Sequence, residues 1–81
     1  MNIFDTIKNT IVDNSTLFGF EYNGKFGNID PCYKPNLGDT FLLFFDGREK
    51  TVCSFDEVMN EPFFNGKSLS EIANYITITD A

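Results

Sequence analysis

An Asn-Gly pair at positions 23 and 24, between two alternating runs, constrains the fold of this chain more than any other feature. A type I′ hairpin turn needs positive φ angles at both central residues, and Asn-Gly supplies them readily. The turn predicts that Tyr22 pairs with Lys25, and that Gly27 lies opposite Phe20 and leaves room for its ring. The core face of the first strand then carries Phe18, Phe20 and Tyr22. Glu21 lies on the opposite face.

A second hairpin is predicted at Asp46-Gly47, which joins residues 40–45 to residues 48–54. The first of these strands is apolar on both faces at residues 41–45, which favours a central strand covered on both sides. The second strand is polar, which favours the sheet edge. Pairing of this edge strand with a second copy, as a homodimer, is left open.

The segment 30–39 contains two prolines and a glycine, and this composition predicts a long connecting loop with Tyr33 and Leu37 packed on the sheet. The tail at 77–81 is compatible with a short strand or with an irregular end. Neither feature adds a second core, because a chain of 81 residues can support only one. Residues 1–81 are therefore expected to form a single domain.

Helices are expected at three places. Residues 3–12 repeat apolar side chains at helical spacing, with Phe4, Ile7 and Ile11 on one face. Two Ser-x-x-Glu capping boxes, at 54–57 and 68–71, predict helices over about 55–60 and 69–76. The predicted fold class is α+β: an antiparallel sheet of about four strands in two hairpins, with one N-terminal and two C-terminal helices, in the order α-β-β-β-β-α-α.

Charge restricts the classes of partner. Twelve acidic and six basic residues give a net charge of −6, which disfavours direct binding of nucleic acids or anionic membranes and favours a protein partner with a basic surface. The same charge is also within the range that keeps a small domain in solution. No apolar stretch approaches the length that crosses a bilayer, and no secretory signal is recognised, so a cytoplasmic location is expected.

The residue types needed for common catalytic chemistry are scarce. The chain has no histidine, which excludes Ser-His-Asp, Cys-His and His-metal arrangements. Cys32 and Cys53 are expected to be reduced, and two thiols do not complete a zinc shell. The glycines are dispersed over turns and form no phosphate-binding loop. The sequence predicts a protein that is not an enzyme and has no cofactor, metal or catalytic residue.

One cluster stands out as a candidate binding surface. Asp56, Glu57 and Glu61 surround a short predicted helix, and two adjacent aromatics, Phe63 and Phe64, follow it. An exposed aromatic beside carboxylates would suit a basic protein partner. Two structural alternatives remain open: the first-turn acids can instead complement a helix dipole, and both phenylalanines can instead be buried in the core.

The residues FFDG at 44–47 and VMNEPFFNGKSL at 58–69 resemble small uncharacterised acidic proteins of bacterial mobile genetic elements. The resemblance covers roughly the C-terminal half and includes no motif of known chemistry. It implies a setting in which some small acidic proteins inhibit host enzymes by occupying their basic grooves.

Two functional hypotheses follow. The first is a non-enzymatic protein-interaction module that acts through an acidic and aromatic surface. The alternative is an acidic inhibitor that mimics nucleic acid and blocks the basic groove of a nucleic-acid-binding enzyme. Mimicry requires carboxylates gathered on one face and binding that weakens steeply with salt, whereas an aromatic-anchored contact tolerates salt.

Overall fold

The computed structural model describes residues 2–80, which form one antiparallel sheet of five strands. The strands are β1 (Phe18–Tyr22), β2 (Lys25–Lys34), β3 (Gly38–Phe45), β4 (Arg48–Val52) and β5 (Thr77–Asp80). Their spatial order is β4-β3-β2-β1-β5. The predicted α+β class is confirmed, but the predicted number of strands is too low because the tail adds β5 beside β1.

The helices are short and lie near both ends of the described residues. They are α1 (Ile3–Lys8), α2 (Phe55–Asn60) and α3 (Leu69–Ile72). A π-helical turn, Asn9–Asp13, continues α1, so helical backbone covers the predicted segment. The helix predicted over 69–76 is shorter: a 3₁₀ turn, Ala73–Tyr75, ends it because Thr77 already pairs with β1.

Both predicted hairpin turns are confirmed. Asn23 and Gly24 have φ angles of 56° and 80°, and Asp46 and Gly47 have angles of 53° and 81°. These positive values at both central residues are those that a type I′ turn requires. The register follows from the turns, with Tyr22 opposite Lys25 in the first hairpin. Local sequence therefore sets the pairing of β1 with β2 and of β3 with β4.

The loop predicted over 30–39 is wrong. β2 continues to Lys34 and pairs with β3 up to Gly38, so only residues 35–37 connect the two strands. Proline is tolerated at position 31 because β1 pairs with β2 only as far as Ile29, so no described strand pairs with that flank of β2 beyond Ile29. Tyr33 and Leu37 do not pack on the sheet, since both side chains are exposed.

All three helices cover the same face of the sheet. Phe18, Ile29 and Leu43 lie side by side across β1, β2 and β3, and all three are fully buried. The helices contribute Ile7, Ile11, Val58, Met59, Leu69 and Ile72 to the same core. We call this the covered face. The apolar side chains of the strands and of the helices thus pack together in one core.

The other face of the sheet, called here the open face, has no helix on it within residues 2–80. At its far end, the buried Thr40 and the exposed Lys34 are in register with it. Its central part consists of the alternate strand residues Glu21, Phe26, Asn28, Asp30, Leu42, Phe44, Glu49 and Thr51. None of these side chains is buried. The prediction that β3 is covered on both sides is therefore wrong. An antiparallel sheet can leave one face in water, so apolar residues on both sides of β3 did not require a second layer.

Candidate functional site

The acidic residues predicted around α2 act in local structure. The backbone N–H of Glu57 donates to the Ser54 hydroxyl, as predicted for an N-cap. The Glu57 carboxylate accepts from the Cys53 N–H at 3.3 Å rather than from Ser54, so the first predicted capping box is only half formed. Asp56 Oδ1 accepts from the Asn60 side chain at 3.2 Å. Both carboxylates stay exposed and lie in the first helical turn, where they complement its dipole.

Glu61 and Phe63 face the two basic residues of the edge strand. Glu61 Oε2 accepts from Lys50 Nζ at 2.9 Å in an ion pair. The Arg48 guanidinium lies 5.4 Å from the centroid of the Phe63 ring, within cation–π range. Arg48 and Lys50 alternate with Glu49 along β4, so they project toward the helices while Glu49 projects onto the open face. Arg48 and Lys50 therefore make their contacts on the covered face.

Neither aromatic of the predicted patch is available as a surface anchor. Phe63 is 6% exposed and Phe64 is fully buried. The Phe64 ring makes edge-to-face contacts with Phe20 and Phe45 at centroid distances of 5.6 and 5.7 Å. The alternative in which both rings belong to the core is therefore the one observed. The structure thus separates the five residues into two exposed acids, a partly buried Glu61 and two buried rings.

The second capping box is complete. The Ser68 hydroxyl accepts from the Glu71 N–H, and the Glu71 carboxylate accepts from the Ser68 N–H at 2.9 Å. These hydrogen bonds favour the ionised carboxylate, so the pKa of Glu71 lies below its ordinary value of 4.5; the backbone bond is the main cause. Glu71 thus begins α3 and is occupied by that role.

We expect the Glu71 box to make stability pH-dependent. Because the folded-state pKa is lowered, its contribution is present above pH 4.5 and is lost as pH falls through the folded pKa. Glu71→Gln keeps an oxygen that can accept from Ser68 but removes the titration. The difference in Tm between the two proteins should therefore be larger at about pH 6.5 than at about pH 3. A difference that stays constant across this range, measured by thermal unfolding, would contradict the assignment.

The open face brings apolar and acidic side chains together in cross-strand pairs. Phe26 lies opposite Glu21, Leu42 opposite Asp30, and Phe44 opposite Glu49. Directly opposed residues in an antiparallel sheet have Cβ atoms about 4.5–5.5 Å apart. Phe26 and Phe44 lie diagonally across neighbouring strands, because Phe44 is opposite Asn28. The apolar residues thus form one row with carboxylates beside it.

Exposure distinguishes this row from an ordinary strand surface. The Phe26 side chain is 63% exposed, although it is one of the largest apolar side chains in the sheet. Leu42 and Phe44 are partly buried beside it. Burying apolar surface stabilises a complex by about 25 cal/mol per Å² removed from water. Covering the exposed Phe26 ring with a partner would therefore favour binding. The row is an apolar surface that the described part of the chain leaves uncovered.

The carboxylates on the open face differ from those near α2 and α3. Within residues 2–80, the side chains of Glu21, Asp30 and Glu49 form no hydrogen bond or ion pair. Three of the bases are engaged elsewhere: Lys25 pairs with Asp46 at 2.9 Å, and Arg48 and Lys50 turn to the covered side. Among the described strand residues, only Lys34, at the far end of β2, has a basic side chain in register with the open face.

The residues of the open face left a signal in the sequence. In the run at 41–45, Leu42 and Phe44 are the apolar residues that point away from the core side of an alternating strand. Phe26 lies just after the first turn and next to Gly27, so it points to the face opposite Gly27. By its composition, the run at 41–45 predicts a strand buried on both faces. An exposed interaction surface produces the same pattern, because periodicity reports which side a residue occupies and not what covers that side.

A small cleft lies where the end of the π-helical turn meets β2 and β3. Its volume is about 130 Å³, and Ile11, Pro31, Cys32, Thr40 and Phe41 are among the residues that line it. Sites for small-molecule ligands usually occupy about 300–1,000 Å³. The Thr40 hydroxyl donates to the Cys32 carbonyl oxygen, so its polar group is already satisfied. Cys32 and Cys53 are both free thiols.

No described helix has the length and apolar composition to cross a membrane. No group of three or more Cys, Asp or Glu side chains within residues 2–80 is arranged to hold a metal ion. Comparison of the chain with family models, curated proteins and solved structures finds no match.

Proposed function

We propose that the protein is a non-enzymatic interaction module that binds another protein through the open face of its sheet. The observation that supports this proposal most directly is the uncovered apolar row of Phe26, Leu42 and Phe44, each with a carboxylate directly opposite. Exposed apolar patches bordered by polar groups are typical of protein-binding surfaces. The acids near α2 support a binding role less well, because Glu57 and Glu61 are engaged in local contacts.

Nucleic-acid mimicry is the weaker alternative. A mimic needs carboxylates in place of phosphates along one surface, whereas apolar side chains alternate with the carboxylates of the open face. Other acids, such as Asp56 and Glu57, lie on the helical side. Mimicry also predicts much stronger salt dependence than contact through an aromatic ring does.

The proposal is tested by affinity capture from native lysate with three baits and quantitative mass spectrometry. The baits are the unchanged chain, Phe26→Ser on the open face, and Tyr75→Ser as a matched control. Tyr75 is 75% exposed and lies in the 3₁₀ turn, away from the open face. Truncating an aromatic anchor of an interface can cost about 2 kcal/mol or more, so recovery of a true partner should fall at least about tenfold with Phe26→Ser.

The control bait should recover that partner at the level of the unchanged chain. Equal recovery of every captured protein by all three baits would contradict the proposal. Nucleic-acid mimicry would be favoured instead if the Phe26→Ser bait still captured a partner and high salt abolished that binding. Far-ultraviolet circular dichroism and thermal unfolding of each bait would verify that all three are folded.

A further inference from the structure

The arrangement of charges on the open face restricts what can occupy it. Glu21, Asp30 and Glu49 have no partner among residues 2–80 and lie directly beside the apolar row. An occupant that covered the row with apolar groups alone would desolvate these carboxylates without compensation, which is costly. A second copy docked face to face would bring like charges together, from chains that each carry a net charge of −6. The occupant must therefore supply both apolar and basic groups.

The width of the face fits a helix. Glu21 lies on β1 and Glu49 on β4, at opposite sides of the row and three strand spacings apart. Strands in a sheet are about 4.7–4.9 Å apart, so Glu21 and Glu49 are about 14 Å apart across the strands. They are also offset by two residues along the strands, because Glu21 is level with Phe26 and Glu49 with Asn28. An α-helix with its side chains is about 10–12 Å wide. A helix laid along the row would have an acidic side chain on each flank.

The length of the row sets the extent of the contact. Leu42 is level with Asp30, which is four residues beyond Phe26 on β2. At about 3.3 Å per residue the row is about 13 Å long. This corresponds to about nine residues of helix, since each residue rises 1.5 Å. Two to three turns of an amphipathic helix would cover it.

We infer that the open face binds an amphipathic helix of a partner protein whose apolar stripe is flanked by lysine or arginine on both sides. This inference deepens the proposed function and rests on it. The apolar stripe contacts Phe26, Leu42 and Phe44, and the flanking bases reach the carboxylates of Glu21 and Glu49. Asp30 lies at one end of the row and receives a base from the last turn.

The test uses designed peptides as probes against the full chain. The first is a helix of about 14 residues with a leucine stripe flanked by lysines, a length near the limit at which isolated helices form. The second has glutamate in place of every lysine, and the third keeps the lysines but has glutamine in place of leucine. Calorimetry gives each Kd, and amide chemical shifts map the contact. We expect only the leucine-lysine peptide to bind, with shifts confined to the open face.

Two charge-reversed variants with the same net charge separate the site from general attraction. One changes the open face, with Glu21→Lys, Asp30→Lys and Glu49→Lys. The other changes exposed acids outside the open face, with Asp13→Lys, Asp39→Lys and Asp56→Lys. The first variant should bind the leucine-lysine peptide at least about tenfold more weakly than the unchanged chain does, and should bind the leucine-glutamate peptide instead. The second variant should change the Kd of the leucine-lysine peptide by no more than about threefold.

Several outcomes would overturn the inference. Equal losses in the two variants would show attraction by total charge alone, and shifts on the helical side would assign the contact to another surface. Concentration-dependent dimerisation abolished by Phe26→Ser would identify a second copy as the occupant. If a partner depends on Phe26 in lysate but the leucine-lysine peptide does not bind, the helix inference fails and the proposed function stands. If neither binds, both fail.

Discussion

Replacing Phe64 by alanine is expected to lower the free energy of unfolding by about 3–5 kcal/mol, a loss typical of removing a buried phenylalanine ring. Phe64 is fully buried and contacts Phe20, Phe45 and Phe63 edge to face. Its removal leaves a cavity bounded by rings that β1 and β3 hold in place. A domain of this size has about 4–12 kcal/mol of stability in total, so the variant should be close to unfolding at room temperature.

Phe26→Ala is the matched control, because it makes the same chemical change on the open face of the same sheet. The Phe26 ring is 63% exposed, so its removal creates no cavity. Its cost should remain below about 1 kcal/mol, the range of strand propensity and cross-strand pairing. Urea unfolding followed by circular dichroism gives both values. Similar losses for the two variants would contradict the assignment of one ring to the core and the other to the surface.

Gly27→Ala is expected to destabilise the protein by about 3 kcal/mol, at the upper end of the cost of overpacking a core. A Cβ atom built at Gly27 would lie 2.7 Å from Cζ of Phe20, 2.9 Å from Cδ1 of Phe45 and 3.0 Å from the carbonyl oxygen of Phe44. The oxygen belongs to the backbone of β3 and cannot move without disturbing the strand ladder. The sequence-based expectation that Gly27 leaves room for Phe20 is confirmed.

Two further variants isolate the cause of that loss. The Phe20→Leu variant lacks the atom that clashes most closely with the new Cβ. In that background, the destabilisation caused by Gly27→Ala should therefore be smaller by about 1 kcal/mol or more, an interaction energy typical of contacting residues in double-mutant cycles. Gly24→Ala has no atom within 4 Å of the new Cβ and is strained only by its φ of +80°. Its cost should be about 1–2 kcal/mol. Strict additivity of Gly27→Ala and Phe20→Leu would rule out a steric clash between these positions.

The residues of the proposed binding surface are only partly predictable from the sequence. The sequence predicts a binding surface of acidic and aromatic residues near α2, but burial of Phe63 and Phe64 removes the aromatic part from the surface. Glu21 was assigned to the face away from the core, and the register confirms it. Its neighbours Asp30 and Phe26 could not be grouped with it, because Asp30 was assigned to a loop. The role of either surface in binding stays a prediction.

By itself, the sequence determined the features that depend on a few adjacent residues. The two turns, the register between their strands and the capping box at Ser68 follow from positive φ angles, the two-residue repeat of strands and one reciprocal pair of hydrogen bonds. The edge position of β4 follows from the polar composition of that strand. The tertiary structure alone decided which face the helices cover, whether the tail pairs with β1, and how far β2 extends beyond Pro31. These outcomes depend on which distant elements meet, and the energy of such contacts is not contained in any local stretch of the chain.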